Sequence, residues 1–174
     1  MPDIKIRAMT ESDCAAVSAV VCESFRYAAE REGVDEQGIR GYVAERGCEA
    51  AIRRQFREYD CFVACAGRQI VGMVGVQGNE VTKLYVDPHC QQQGVGAMLL
   101  AAAERVIASA GHDQMVAWAA FDSAIGFYEV MGMCAVGRKW DILGTKRGGN
   151  PMLMTKKTGA PGPSGVRGDT RDET

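Results

Sequence analysis

The chain has 174 residues, 47% hydrophobic and 24% charged, with a formal net charge of −2. That length supports one domain with a substantial core, and that charge gives no electrostatic case for general nucleic-acid binding. No apolar run approaches the roughly 20 residues that cross a bilayer, so no membrane span is expected. Met1-Pro2-Asp3-Ile4-Lys5 has no secretory h-region. The cysteines Cys14, Cys22, Cys48, Cys61, Cys65, Cys90 and Cys134 are odd in number and contain no CxxC pair. His89 and His112 lack zinc-type spacing. Reduced thiols used as small hydrophobes in a cytoplasmic protein, with no metal, are the expectation. Cys90 alone stands near a helix start, where a thiol pKa can fall.

Ile4 to Ala8 alternates and reads as a first strand. Thr10 to Asp13 offers caps for a helix with Ala16, Val17, Val20, Val21 and Phe25 in a stripe. Residues 26–59 are polar and arginine-rich, and suggest one or two helices interrupted by glycines such as Gly47. Tyr27, Tyr42, Phe56 and Tyr59 are candidates either for a pocket or for core anchors. Arg40, Arg46, Arg53, Arg54 and Arg57 read as a solvated face.

Cys61 to Ala66, Ile70 to Gln77 and Glu80 to Asp87 read as a meander with turns at Gly67-Arg68-Gln69 and Gly78-Asn79. Asp87-Pro88 stops the last strand, because proline lacks the N–H a ladder needs. A long helix follows, with Val95, Met98, Leu99, Ala102 and Val106 on one face and Gly111 at its C-terminal end. Gln114 to Ala120 reads as a strand, and Asp122 or Ser123 caps a short helix through Val130. Met133 to Gly137 and Pro151 to Lys156 form a closing hairpin around a loop of residues 144–150. The last residues, 158–174, rich in Gly, Pro, Ser and charge, read as a disordered tail. A domain of residues 1–157 precedes it.

Between the meander and the long helix lies Gln91-Gln92-Gln93-Gly94-Val95-Gly96-Ala97. A helix start carries unpaired N–H groups and a partial positive charge, and glycines let an anion approach them. The local chemistry is that of pyrophosphate binding. Gly96 is not followed by Lys-Ser or Lys-Thr, which a triphosphate P-loop needs, and Leu99 stands where a dinucleotide fingerprint needs its third glycine. A meander rather than parallel βαβ units also argues against a Rossmann unit.

Gln91-x-x-Gly94-x-Gly96 after Leu84-Tyr85-Val86-Asp87-Pro88 resembles the acyl-CoA-binding motif of the GCN5-related N-acetyltransferase (GNAT) family. Many members carry glycine where Gln92 stands. Phe127-Tyr128-Glu129 followed by Met131-Gly132-Met133, and Arg7-x-x-Thr10-x-x-Asp13, resemble further family segments. The resemblance implies an α+β fold: a mixed, mostly antiparallel central sheet flanked by helices, with the fourth and fifth strands splayed at a bulge. It implies acetyl-CoA as co-substrate. Its pantetheine arm would meet main-chain groups of Leu84, Tyr85 and Val86, and its pyrophosphate the N–H groups of Gln91, Gln92, Gln93, Gly94, Val95, Gly96 and Ala97. Tyr128 would protonate the departing thiolate. Glu80, or a water chain to a distant base, would deprotonate the amine. Strand alternation places Glu80, Thr82 and Leu84 on one face. Many relatives carry an asparagine where Phe121 stands, and its cofactor contact would be lost or taken over by Asp122. The implied activity is transfer of an acetyl group to a primary amine of a small molecule or peptide. A non-catalytic acyl-CoA-binding module of the same fold is the alternative. A homodimer is open.

Overall fold

A computed structural model of the chain describes residues 3–143 and 149–159. The elements are β1 (Ile4–Ala8), α1 (Cys14–Arg31), α2 (Glu36–Tyr42), α3 (Glu49–Glu58), β2 (Asp60–Ala66), β3 (Gln69–Gln77), β4 (Glu80–Val86), α4 (Val95–Ser109), β5 (Gln114–Ala119), α5 (Asp122–Val130), β6 (Cys134–Arg138), α6 (Lys139–Leu143) and β7 (Met152–Lys157). A π-helical turn, Val43–Gly47, joins α2 to α3. The strands make one sheet in the order β1-β2-β3-β4-β5-β7-β6. Only the β4–β5 pair is parallel, so the expected mixed, mostly antiparallel sheet is present. The expected tail falls outside the described residues from 160 onward, as do residues 144–148 of the closing loop.

The sheet separates two apolar layers. One joins α4 and α5 to the sheet through Val74, Val81, Leu99, Ile107, Met115 and Met154, among others. The other joins α1 and α3 to the opposite face through Val17, Val21, Ile52, Val63 and Met73. β3 lies in the middle with every residue from Ile70 to Val76 buried, which is why its sequence is nearly continuous in apolar residues. Full burial of each large aliphatic side chain contributes about 1.5–3 kcal/mol.

Arg7, Thr10 and Asp13 weld β1 to α1. Asp13 accepts two bonds from Arg7, at 2.7 and 2.9 Å, and one each from the Thr10 amide and hydroxyl at 2.8 Å. The guanidinium holds the Asp13 carboxyl far below the usual carboxylate range, against the opposing effect of burial.

One sequence expectation is corrected. The inward face of α4 is Val95, Leu99, Leu100, Ala102, Ala103 and Ile107, whereas Met98 is exposed and Val106 only half-buried. Both aliphatic positions beside Leu99 fit helical spacing, and the sheet selects Leu100. Gly47 separates two helices, as the sequence suggests. It closes the π-helical turn where a Cβ would stand 2.9 Å from Cys22 Sγ, so α3 packs close to α1. A short helix, α6, precedes the closing loop.

Candidate active site

β4 decides the geometry of the site. Its pairing with β3 runs Gly75↔Lys83 and then Val76↔Val81, leaving Thr82 as the extra residue of a β-bulge. The bulge breaks the alternation. Val81, Leu84 and Val86 face the α4 layer, while Tyr85 packs against the α1 layers. Lys83 projects to that same side, toward Tyr42 and the 43–47 turn. Glu80 and Thr82 line one cleft with Lys83. Leu84 therefore does not share a face with Glu80 and Thr82, because one inserted residue reverses the side-chain parity of everything after it.

β4 also parts from β5. The two strands pair only at Glu80↔Val116 and Val81↔Ala117. Leu84, Tyr85 and Val86 face β5 with no ladder partner there, while their other side remains paired to Val74, Met73 and Gly72 of β3. The gap is thus bounded by main chain on the β4 side.

The turn after β4 is held by its own polar groups. The Asp87 carboxylate accepts from the His89 amide at 2.8 Å. Gln91 Nε2 donates to the Val86 carbonyl at 3.3 Å, and Gln93 Nε2 to the His89 carbonyl at 3.1 Å. Gln92 has φ +58° and Gly94 φ +81°, left-handed conformations that glycine adopts without penalty and glutamine does not. The first α-helical bond of α4 runs from the Met98 amide to the Gly94 carbonyl. The amides of Val95, Gly96 and Ala97 precede it and have no intrahelical partner. A Cβ on Gly96 would lie 3.2 Å from Phe127 and 3.8 Å from Val86. Gly96 therefore brings the α4 start, the end of β4 and α5 into close approach. These free amides and the left-handed turn fit a pyrophosphate, and the unpaired β4 edge fits an extended amide-bearing arm.

Tyr128 is 7% exposed and packs edge-on to Phe127, with ring centroids 5.3 Å apart. Burial alone raises its phenol to about 12. Tyr85, on the neighbouring strand, has its pKa raised by burial first and then by Tyr42 and Tyr128. Its hydroxyl meets that of Tyr42 at 2.5 Å, and Tyr42 in turn stacks on Phe25 at 3.6 Å. Lys83 Nζ donates to the Arg46 carbonyl at 2.9 Å and lies 5.6 and 5.8 Å from the Tyr42 and Tyr85 ring centroids. Burial, with Arg46 adding to it, lowers the Lys83 ammonium to about 8.

Of the residues expected at the site, Leu84–Val86, the 91–97 turn and Phe127-Tyr128 come together around the gap. Glu80 lies at the opposite end of β4, on the cleft side. Asp122 is engaged elsewhere, paired to Arg138 at 2.8 Å. Phe121 precedes α5 and packs on Phe25 at 5.6 Å. The first turn of α5 is met by Glu32, whose carboxylate accepts from the Ser123 amide at 3.0 Å. Burial raises the Cys90 thiol pKa, in keeping with a cysteine used as a small hydrophobe rather than as an activated thiol. Lys83 and the side chain of Tyr85 are functional candidates that sequence reasoning missed. A lysine between β-branched and aromatic residues in mid-strand was the available signal.

The family model of the acetyltransferase (GNAT) domain matches residues 57–132. Over that span the chain resembles a GNAT domain. The matched span runs from the end of α3 to the turn after α5 and contains the bulge, the gap, the 91–97 turn and Tyr128. No curated protein matches the chain in sequence. Among solved structures, a GCN5-related N-acetyltransferase from Rhodopseudomonas palustris superposes with a TM-score of 0.78 at 22% identity, over 90% of this chain and 97% of that one. PaiA N-acetyltransferase from Thermoplasma acidophilum, in complex with coenzyme A, gives 0.73 at 20% identity over 89% and 99%. YncA from Salmonella typhimurium, with its cofactor acetyl-CoA, gives 0.60 at 20% identity over 88% and 93%. These likenesses extend the GNAT fold over nearly the whole chain, including β1 to α3 before the matched domain.

Proposed function

We propose that this protein is an acetyl-CoA-dependent N-acetyltransferase acting on a primary amine of a small molecule or peptide. The observation that carries the reading is the parting of β4 from β5 after Val81, beside a left-handed turn that leaves the first amides of α4 free. Two of the solved relatives hold coenzyme A or acetyl-CoA, which supports the same ligand here.

In this reading the main chain of Leu84, Tyr85 and Val86 orients the thioester arm, and the amides of the 91–97 turn hold the pyrophosphate. Asp122 stands apart from this set, with its carboxylate paired to Arg138. The amine nitrogen attacks the thioester carbonyl carbon; an N–C bond forms, the C–S bond breaks, and the electron pair leaves on sulfur. One proton passes from amine to thiol overall. Glu80 receives it from the amine, directly or through water, since a neutral amine is the nucleophile. Tyr128 supplies one to the thiolate, and a phenol near 12 stays protonated at neutral pH.

Calorimetry with CoA, together with thiol release from acetyl-CoA across a panel of amines, tests the reading. CoA binding with acceptor-dependent thiol release is expected. Binding without release on any acceptor would leave a CoA-binding module, and the absence of binding at millimolar CoA would overturn both.

A further inference from the structure

We infer that the acceptor carries a carboxylate as well as its primary amine, and that it is seated in the cleft between the 43–47 turn, α3 and the start of β4. This rests on the acetyltransferase reading above and specifies its acceptor. The cleft has a volume of about 400 Å³, within the range of small-molecule sites. Two buried side-chain polar atoms among the described residues lack a hydrogen-bond partner, Gln55 Oε1 and Thr82 Oγ1. Both residues line this one cleft. Buried polar atoms are nearly always satisfied, and these two, sealed in the cleft wall, leave acceptor capacity that a polar occupant can recruit by a side-chain rotation.

The charges state its chemistry. Arg26, Arg40, Arg53 and Arg57 of the same helical region all pair with glutamates. The cleft's own Arg46 and Arg54, and its Glu45, Glu58 and Glu80, take part in no ion pair among the described residues. Lys83 likewise reaches a carbonyl rather than a carboxylate. Three acids and three bases without an ion-pair partner, Lys83 among them with its ammonium on the Arg46 carbonyl, therefore line the cleft. A plain amine would answer the acids and leave three cations beside its own charge; a simple acid would do the reverse. An amino carboxylate answers both. Its ammonium has three N–H donors, for which the Glu80 carboxylate is the first acceptor, with Thr82 Oγ1 and Gln55 Oε1 joining it once their side chains turn into the cleft. Its carboxylate falls to Lys83, Arg46 and Arg54. The β-bulge makes this possible, since it places Thr82 and Lys83 on the same side of β4 as Glu80.

The test compares glycine, alanine, serine, glutamate and lysine as free amino acids with their carboxamides. It measures thiol release from acetyl-CoA and, separately, calorimetric binding to the CoA-saturated protein. At least one amino acid should exceed its amide about tenfold in kcat/KM and in affinity. Lys83→Gln with Arg54→Gln should reduce that ratio to about twofold or less, while Gln55→Leu should weaken acid and amide alike and leave CoA affinity unchanged. Amides equal to or better than every amino acid in both measurements would overturn the inference while leaving the acetyltransferase reading intact. Carboxylate-dependent binding with no thiol release from any acceptor would instead remove the acetyltransferase reading and leave the cleft assignment standing. An unaltered acid-to-amide ratio in the double variant would remove Lys83 and Arg54 from the site and with them the argument from charge.

Discussion

Tyr128 and Glu80 stand at opposite ends of the proposed reaction, and their environments differ accordingly. Tyr128 is enclosed, with its phenol raised to about 12, so it keeps its proton across the working range. Tyr128→Phe should lower kcat by about 10²-fold or more, the usual scale of a positioned proton donor, with CoA affinity nearly unchanged. Steady-state kinetics beside calorimetry separates the two, and an unchanged kcat would return Tyr128 to a packing role. Glu80 borders the polar cleft beside Thr82 and Lys83. Glu80→Gln should lower kcat by about 10²-fold or more, with CoA affinity unchanged. A limb of the pH–rate profile near pH 8 that persists in this variant and disappears in Lys83→Gln would assign the proton to Lys83, the other titratable side chain on that stretch of β4. The groups acting on Lys83 are Arg46 from the 43–47 turn and Cys22, Cys48 and Cys61 from the surrounding elements.

At the scale of elements, one extra residue in β4 and one left-handed glycine at the head of α4 produce the site. Thr82 turns β4 so that core residues and cleft residues occupy opposite faces, and Gly94 directs α4 so that its free amides meet the end of the same strand. Gly94→Val places a β-branched side chain at φ +81°, a cost of about 1–2 kcal/mol or more, and forces the turn to rearrange. CoA binding should be lost while circular dichroism still reports a folded protein. Retained affinity would locate the pyrophosphate elsewhere. Helix α4 itself is anchored by Leu99, fully buried against the sheet and 2.9 Å from the position a Cβ on Gly72 would occupy. Leu99→Ala should cost about 2–5 kcal/mol in denaturant unfolding; a loss below 1 kcal/mol would mean that α4 does not depend on this contact.

For the whole molecule, the charge network at the β1–α1 junction governs acid stability. Asp13 is held ionised in the folded state by Arg7 and Thr10, so its folded pKa is depressed. The stabilisation is fully present above the unfolded carboxylate pKa of about 4 and is lost as pH falls below it toward the folded value. Asp13→Asn should destabilise the protein by about 1–3 kcal/mol at pH 7, measured by urea unfolding. The gap between wild type and variant should narrow from pH 4 downward. A constant gap across that range would show that the carboxylate charge is not what stabilises the junction.

The order of strands and helices, the turn motif at Gly94 and Gly96 and the tyrosine of α5 were legible in the chain. Each depends on a local rule: alternation, proline stops, glycine at a helix head. The same local rules misplaced the inward face of α4, because Met98 and Leu100 both fit helical spacing and only the packed sheet chooses between them. They also put Leu84 beside Glu80, since a bulge depends on pairing with β3, and nothing within β4 announces it. Asp122, offered as a cofactor contact, is paired in the fold with Arg138, sixteen residues on, a contact that local sequence rules do not foresee. The polar cleft belongs wholly to tertiary structure. Gln55, Thr82 and Lys83 come from segments whose meeting is fixed by how α3 lies over the sheet, and sequence spacing carries no record of that.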